Sequence, residues 1–164
     1  FTVEGSKTTA TRIKHNKMRR GFFAVGIVQG KTVENLGTLW RTANLFGAAF
    51  IFTVGRRYKR QCSDTMQTPR HVPLFHFDTV DDLIEHLPDS CPLVGVELNE
   101  DATPCHLLKH PERACYLLGA EDNGLSKADQ AKCHEIVKLP GDYSLNVAVA
   151  GSLVIYDRWR QVQP

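Results

Sequence analysis

Two short, almost uninterrupted apolar runs, at 22–28 (FFAVGIV) and 48–54 (AAFIFTV), bracket a stretch in which Leu36, Leu39, Trp40, Ala43 and Phe46 recur at helical spacing. A strand with one wet face alternates polar and apolar residues. These runs do not alternate, so they read as strands covered on both faces, as in a parallel sheet. Gly47 ends the helical pattern as a C-terminal glycine does. Further apolar runs at 93–96, 115–118 and 136–139, with helix-like stretches at 80–87, 127–133 and 146–161, continue the alternation. The pattern predicts an α/β fold with a mainly parallel sheet flanked by helices.

A chain of 164 residues suits one such domain. We expect a basic segment over 1–21 and a single domain over 22–164. A hydrophobic content of 42% with 23% charged residues disfavours disorder, and no run is long enough to be a membrane-spanning helix. The five cysteines, Cys62, Cys91, Cys105, Cys115 and Cys133, include no CxxC pair and read as reduced, cytosolic thiols, so a cytoplasmic location is expected. The chain opens on Phe1 without a cleavable leader, which reads as a trimmed or fragmentary start.

The net charge of +2 hides a strong asymmetry. Residues 1–20 carry six basic side chains (Lys7, Arg12, Lys14, Lys17, Arg19, Arg20) against Glu4. Residues 55–73 carry five (Arg56, Arg57, Lys59, Arg60, Arg70) against Asp64, whereas 74–105 holds eight acids and no Lys or Arg. Such polarity suits docking of a polyanion, and equally suits solvated loops.

In open α/β sheets, ligands bind beyond the carboxyl ends of the strands, and the polar clusters at 29–41, 97–103, 119–126 and 140–146 fall there. Neither a GxxxxGK[ST] phosphate loop nor a GxGxxG fingerprint occurs, which removes support for nucleotide hydrolysis and hydride transfer. Gly119 and Gly124 mark a sharp turn or a close approach of backbone to a ligand. Ser144 and Asn146 stand where the last helix begins, and either can cap it. Arg41 falls on an apolar helix face and needs a carboxylate, a phosphate or water; Glu121 is a candidate partner. Cys105, His106 and His110 offer too few facing ligands for a metal, and none is expected. Trp40 and Trp159 read as core or interface residues, and His71 and His76 as loop histidines.

Taken together, Asn35, Gly37 and Arg41 (NxGxxxR), then Gly119, Glu121, Gly124 and Leu125 (GxExxGL), then Pro140 followed by Ser144, Leu145, Asn146 and Val147 (SLNV) resemble, in order, the three signature motifs of the SpoU or TrmH branch of the SPOUT RNA methyltransferases. The resemblance spans about 22–160. Ala120 stands where the family often has Asn, and Asp122-Asn123 varies the following turn.

The resemblance implies a sheet whose C-terminal part is threaded into a deep trefoil knot, S-adenosylmethionine bound in that knot, and a homodimer placing RNA near both subunits. It implies methyl transfer to a ribose 2′-hydroxyl of tRNA or rRNA. The family's proposed catalytic residue matches Arg41, as phosphate anchor and electrostatic aid, with proton acceptance left open. Asn35 and Ser144 would orient RNA or cofactor, and Asn146 would position Arg41 or the substrate. Glu121 would stabilise the sulfonium or hold Arg41. The cofactor would lie against Val96, Glu97, Leu98, Leu118, Gly119, Ile136, Leu139, Ser144 and Leu145. Without a long N-terminal RNA-binding domain of the kind some relatives have, RNA capture would fall to Arg12, Lys14, Lys17, Arg19 and Arg20 and to Arg56, Arg57, Lys59, Arg60 and Arg70, and would be salt-sensitive. The variant turn at 120–123 also fits a non-enzymatic RNA-binding protein on the same fold.

Overall fold

A computed structural model describes residues 21–58 and 71–162. Among the described residues, seven strands, β1 (Phe22–Val28), β2 (Phe50–Val54), β3 (Leu74–Phe77), β4 (Leu93–Val96), β5 (Thr103–Pro104), β6 (Arg113–Leu118) and β7 (Glu135–Lys138), form one sheet in the order β3-β2-β1-β6-β4-β7-β5. Every pairing is parallel, as the apolar runs predict. The helices are α1 (Val33–Phe46), α2 (Val80–Glu85), α3 (Lys127–Lys132) and α4 (Val147–Val162).

The two faces of β1 divide the core. Phe23, Val25 and Ile27 pack with Leu36, Leu39, Trp40 and Ala43 of α1 and with Val154 and Ile155 of α4. Ala24 and Val28 pack on the other face with Phe52, Phe77 and Leu83 of α2. Leu36, Leu39, Trp40 and Ala43 are spaced i, i+3, i+4 and i+7, which makes one buried stripe. Trp40 fixes that stripe to the chain before β3 by donating its indole N–H to the Val72 carbonyl at 2.9 Å.

β1 spans the run read from the sequence. β2 begins at Phe50 rather than at 48, because Gly47 (φ 78) closes α1 and the Ala48 N–H still bonds back to the Ala43 carbonyl. β3 and β5 were not expected: β3 lies at the sheet edge behind Pro73, and β5 has two residues. β3 starts directly after the basic segment 55–73, of which 59–70 lie outside the described residues. His76, read as a loop residue, belongs to β3 and bonds Thr53 at 2.9 Å.

At the carboxyl end of α4, Arg158 is 1% exposed. Its guanidinium donates to the carbonyls of Pro111 and of Glu112 (2.6 Å) and to the Tyr116 hydroxyl (3.4 Å), and it lies over the Phe23 ring. Tyr116 meets His110 Nδ1 at 2.6 Å, and His110 Nε2 meets Asp157 at 3.0 Å. Cys105 joins the same carboxylate at 3.9 Å. Of the three residues considered for a metal, Cys105 and His110 thus converge, with Asp157 as third group, while His106 is exposed. Burial lowers the His110 pKa despite Asp157, and pushes the Tyr116 hydroxyl up to about 12 and the Cys105 thiol up to about 11. The protons therefore form a directed chain, from Arg158 to Tyr116 to His110 to Asp157, with the Cys105 thiol as a further donor.

Candidate active site

The parallel sheet delivers the three motif segments to one end. Gln29 to Thr32 follow β1, Gly119 to Leu125 follow β6, and Leu139 to Asn146 follow β7. Crowding fixes the glycines of the second segment. A Cβ on Gly119 would stand 2.2 Å from the Gly124 backbone, and Gly124 (φ +61) would drive one into the Glu97 carboxylate. Glu97 in turn accepts the Leu125 N–H at 2.7 Å and the Leu98 N–H at 3.0 Å, so the end of β4 braces the turn after β6. A Cβ on Gly37 would meet nothing within 4 Å, so packing in this chain does not demand a glycine there.

Glu121 projects from that turn to the start of α1. Its carboxylate accepts the backbone N–H groups of Lys31 (3.0 Å) and Thr32 (3.3 Å) and the side-chain amide of Asn35 (2.8 Å). Thr32 supplies no side-chain cap, so Glu121 does that work from about ninety positions away in the chain. Partial burial pushes the Glu121 pKa up, but the hydrogen bonds from Asn35, its own backbone, Lys31 and Thr32 outweigh it and hold the carboxyl below its usual range. Lys31 Nζ also pairs with Asp122.

Asn35 passes the connection on. Its Oδ1 accepts the Asn146 amide at 2.8 Å, and Asn146 Oδ1 accepts the N–H groups of Ala148 (2.9 Å) and Val149 (3.2 Å). Asn146, not Ser144, is therefore the cap of α4. One hydrogen-bonded line joins the start of α1, the turn after β6 and the start of α4. Gly151 lets α4 lie close, since a Cβ there would come within 2.6 Å of Leu39 and 2.7 Å of Leu118.

Beside this line opens a cavity of about 240 Å3, enough for part of a small molecule but not for a length of RNA. Its walls contain Val96, Glu97, Leu98, Leu118, Gly119, Leu139, Ser144 and Leu145, along with Glu121, Asp122, Tyr143, Val147 and Ala150. Ile136 is the exception among the expected cofactor contacts. It pairs with Gly95 in the ladder, and its side chain fills the space over that glycine with Cys133 and Leu125.

Arg41 corrects two expectations. It is exposed rather than set in the apolar face, because it follows Trp40 by roughly 100° of helical turn, just off the buried stripe. Nor does it pair with Glu121, whose oxygens are taken by Lys31, Thr32 and Asn35; among the described residues Arg41 has no ion pair. Arg56 and Arg57 are exposed in the turn after β2, which packs against the β1 segment through Tyr58 and Gly30. Arg12, Lys14, Lys17, Arg19, Arg20, Lys59, Arg60 and Arg70 lie outside the described residues.

Residues 23–156 match the SpoU rRNA Methylase family. The chain belongs to that family. Over 158 aligned residues this SpoU family chain is 29% identical to a Staphylococcus aureus (strain COL) protein of the TrmH tRNA/rRNA methyltransferases, a match covering 91% of this chain and 63% of that protein. The chain thus spans less than two thirds of the length of the curated relatives it matches. Among solved structures, the SpoU methyltransferase AviRb from Streptomyces viridochromogenes, in complex with AdoMet, superposes with a TM-score of 0.78 at 21% identity over 86% of this chain and 58% of that one. A protein solved for the 2-OH methylation of C/U34 on tRNA superposes at 0.77 with 23% identity over 87% and 97%. These likenesses fix the SpoU fold.

Proposed function

We propose that this chain transfers the methyl group of S-adenosylmethionine to a ribose 2′-hydroxyl of tRNA or rRNA. The observation that carries the reading is the convergence of Glu121, Asn35 and Asn146 in one hydrogen-bonded line beside the cavity. Family membership and the names of the relatives support it. So does the lining: Leu118, Leu139, Val147 and Ala150 suit a flat adenine, and the ionised Glu121 suits a cation. When bound there, S-adenosylmethionine supplies an electrophilic methyl carbon.

The chain's own residues hold the reactants. Glu121, Asn35 and Asn146 fix the positions of α1 and α4, and Ser144 presents a hydroxyl at the cavity wall. As the ribose oxygen takes the methyl, a neutral thioether (S-adenosylhomocysteine) is left and the hydroxyl gives up its proton to solvent at the open cavity, because a guanidinium that is already protonated cannot accept another. Arg41 therefore serves as phosphate anchor and electrostatic partner. Arg56 and Arg57, with the basic residues of 1–20 and 59–70, attract the RNA backbone.

Arg41 and Leu45 lie one turn apart on the same exposed side of α1, and Leu45 is 78% exposed. Val149, Leu153 and Tyr156 make a half-exposed apolar stripe along α4, beside α1 through the Thr42–Ser152 contact (2.9 Å). A homodimer that buries this joint face would put Arg41 at its interface. The partly buried Trp159, against Phe46 and Tyr156, borders it. We place the domain at 22–164 after a basic segment 1–21, in the cytoplasm; no helix of the described residues is long and apolar enough to cross a membrane. A deep trefoil knot in the C-terminal part is supported by the family and by the crossover from β6 past β4 to β7.

The test is methyl transfer from labelled S-adenosylmethionine to total tRNA and rRNA, followed by digestion and mass spectrometry of nucleosides. Label in 2′-O-methylnucleosides is expected. Label in bases alone, or RNA binding without transfer, sinks the reading, and the second result favours an RNA-binding protein on this fold.

A further inference from the structure

Tyr143 is 87% exposed, the most of any large apolar or aromatic side chain among the described residues. It lines the cavity together with Leu98 (41% exposed) and Leu145 (44%), so three exposed apolar groups gather at one mouth. Deeper in the same cavity, Leu118 and Val147 are buried and Leu139 is half-buried. Apolar lining therefore continues outward past the space a small ligand would fill, and ends in an aromatic ring.

The ring stands on a segment that is fixed at its two ends. Residues 139–146 are anchored on one side by β7, paired with β4, and on the other by Asn146, which caps α4 and bonds Asn35. Pro140 and the positive φ of Gly141 (128°) set the path between. Ser144 follows directly. Charge narrows what can cover the ring. Glu97, Glu121 and Asp122 line the same cavity and repel phosphate, whereas Lys31, Arg56 and Arg57 stand outside it at the same end of the sheet. The part of a nucleotide that suits the mouth is thus its uncharged, flat base.

We propose that Tyr143 is a stacking platform for a nucleobase of the RNA substrate, which brings the ribose of that nucleotide toward Ser144. This rests on the reading of the chain as an RNA-acting methyltransferase. Stacking tolerates any base, so Tyr143 contributes affinity and placement rather than sequence preference.

The experiment uses the full chain and the variants Tyr143→Ala, Tyr143→Leu, Tyr143→Phe and Tyr143→Trp. Each is titrated with a fluorescein-labelled, randomised single-stranded oligoribonucleotide, with its abasic counterpart, and separately with S-adenosylmethionine by calorimetry. Ala and Leu should weaken binding of the base-bearing oligonucleotide about tenfold, and Phe and Trp should restore it, as stacking requires. Abasic binding should be equal in all variants, and S-adenosylmethionine affinity should stay within about threefold. Leu binding RNA as well as Tyr overturns the proposal, as does a fall in S-adenosylmethionine affinity parallel to that for RNA, which would make Tyr143 a cofactor contact. Wild-type methyl transfer with unaffected variants defeats this inference alone. Base-dependent binding through Tyr143 with no transfer to any RNA defeats the enzymatic reading instead.

Discussion

Helix α4 is tied to the sheet by polar side chains at both ends, and the two ties differ in what they leave open. At the carboxyl end, Arg158, Tyr116, His110 and Asp157 are buried or nearly so, and most of their donors and acceptors are spent on one another or on nearby carbonyls. At the amino end, Asn146, Asn35 and Glu121 are part-exposed, and Glu121 also faces a cavity. Both sets contain the residue types that catalysis uses. A closed, buried network of this kind holds a fold together, while one bordering an open space holds a ligand or a helix that must meet one.

Substitutions at the two ends should separate these roles. Arg158→Ala removes the donors to two carbonyls and to Tyr116 and leaves a void; we expect a loss of about 3 kcal/mol in urea denaturation, with cofactor affinity per folded molecule unchanged. A loss below about 1 kcal/mol would erase the contrast between the ends. Arg41→Ala should do the reverse, lowering methyl transfer about a hundredfold, or roughly 2.7 kcal/mol, at unchanged stability because the side chain is exposed. Unchanged turnover would remove Arg41 from the chemistry.

Glu121→Gln weakens three hydrogen bonds at the start of α1, and after solvent screening we expect about 1 kcal/mol of stability lost, with a larger fractional fall in S-adenosylmethionine affinity. Because the folded Glu121 pKa is depressed, its contribution is present above about pH 4.5 and disappears as pH falls through the lower folded value. The Gln variant should lack that acid limb. The smallest effect belongs to His110, whose folded pKa is lowered. Its neutral form supports the fold above its unfolded pKa of 6.5, and that support declines as pH falls from there toward the folded value. Thermal melts between pH 7.5 and 5 should show this decline in the wild type and a flatter profile in His110→Asn.

Much of the fold was legible because burial writes itself into strand composition. β1 could be read to the residue, and the stripe Leu36, Leu39, Trp40 and Ala43 gave α1. β3 escaped because a four-residue edge strand behind a proline carries little signal. The end of the sheet where the motifs meet was legible for a topological reason, since parallel strands send all their following loops the same way. What each side chain holds was not. Glu121 was a candidate partner for Arg41, yet backbone N–H groups some ninety residues away in the chain took its oxygens. Cys105 and His110 were read with His106, whereas their third neighbour, Asp157, comes from α4.

The strand order also sets a timetable. β6 lies between β1 and β4, so it is the central strand that unites the two halves of the sheet, yet it is sixth to be synthesised. Until residue 113 emerges, β1 can pair only with β2, and β4 has no partner at all. β5 must wait still longer, for β7. Between the emergence of β1 and that of β6 a nascent chain therefore carries unpaired strand edges, and β6 must insert late between strands already made.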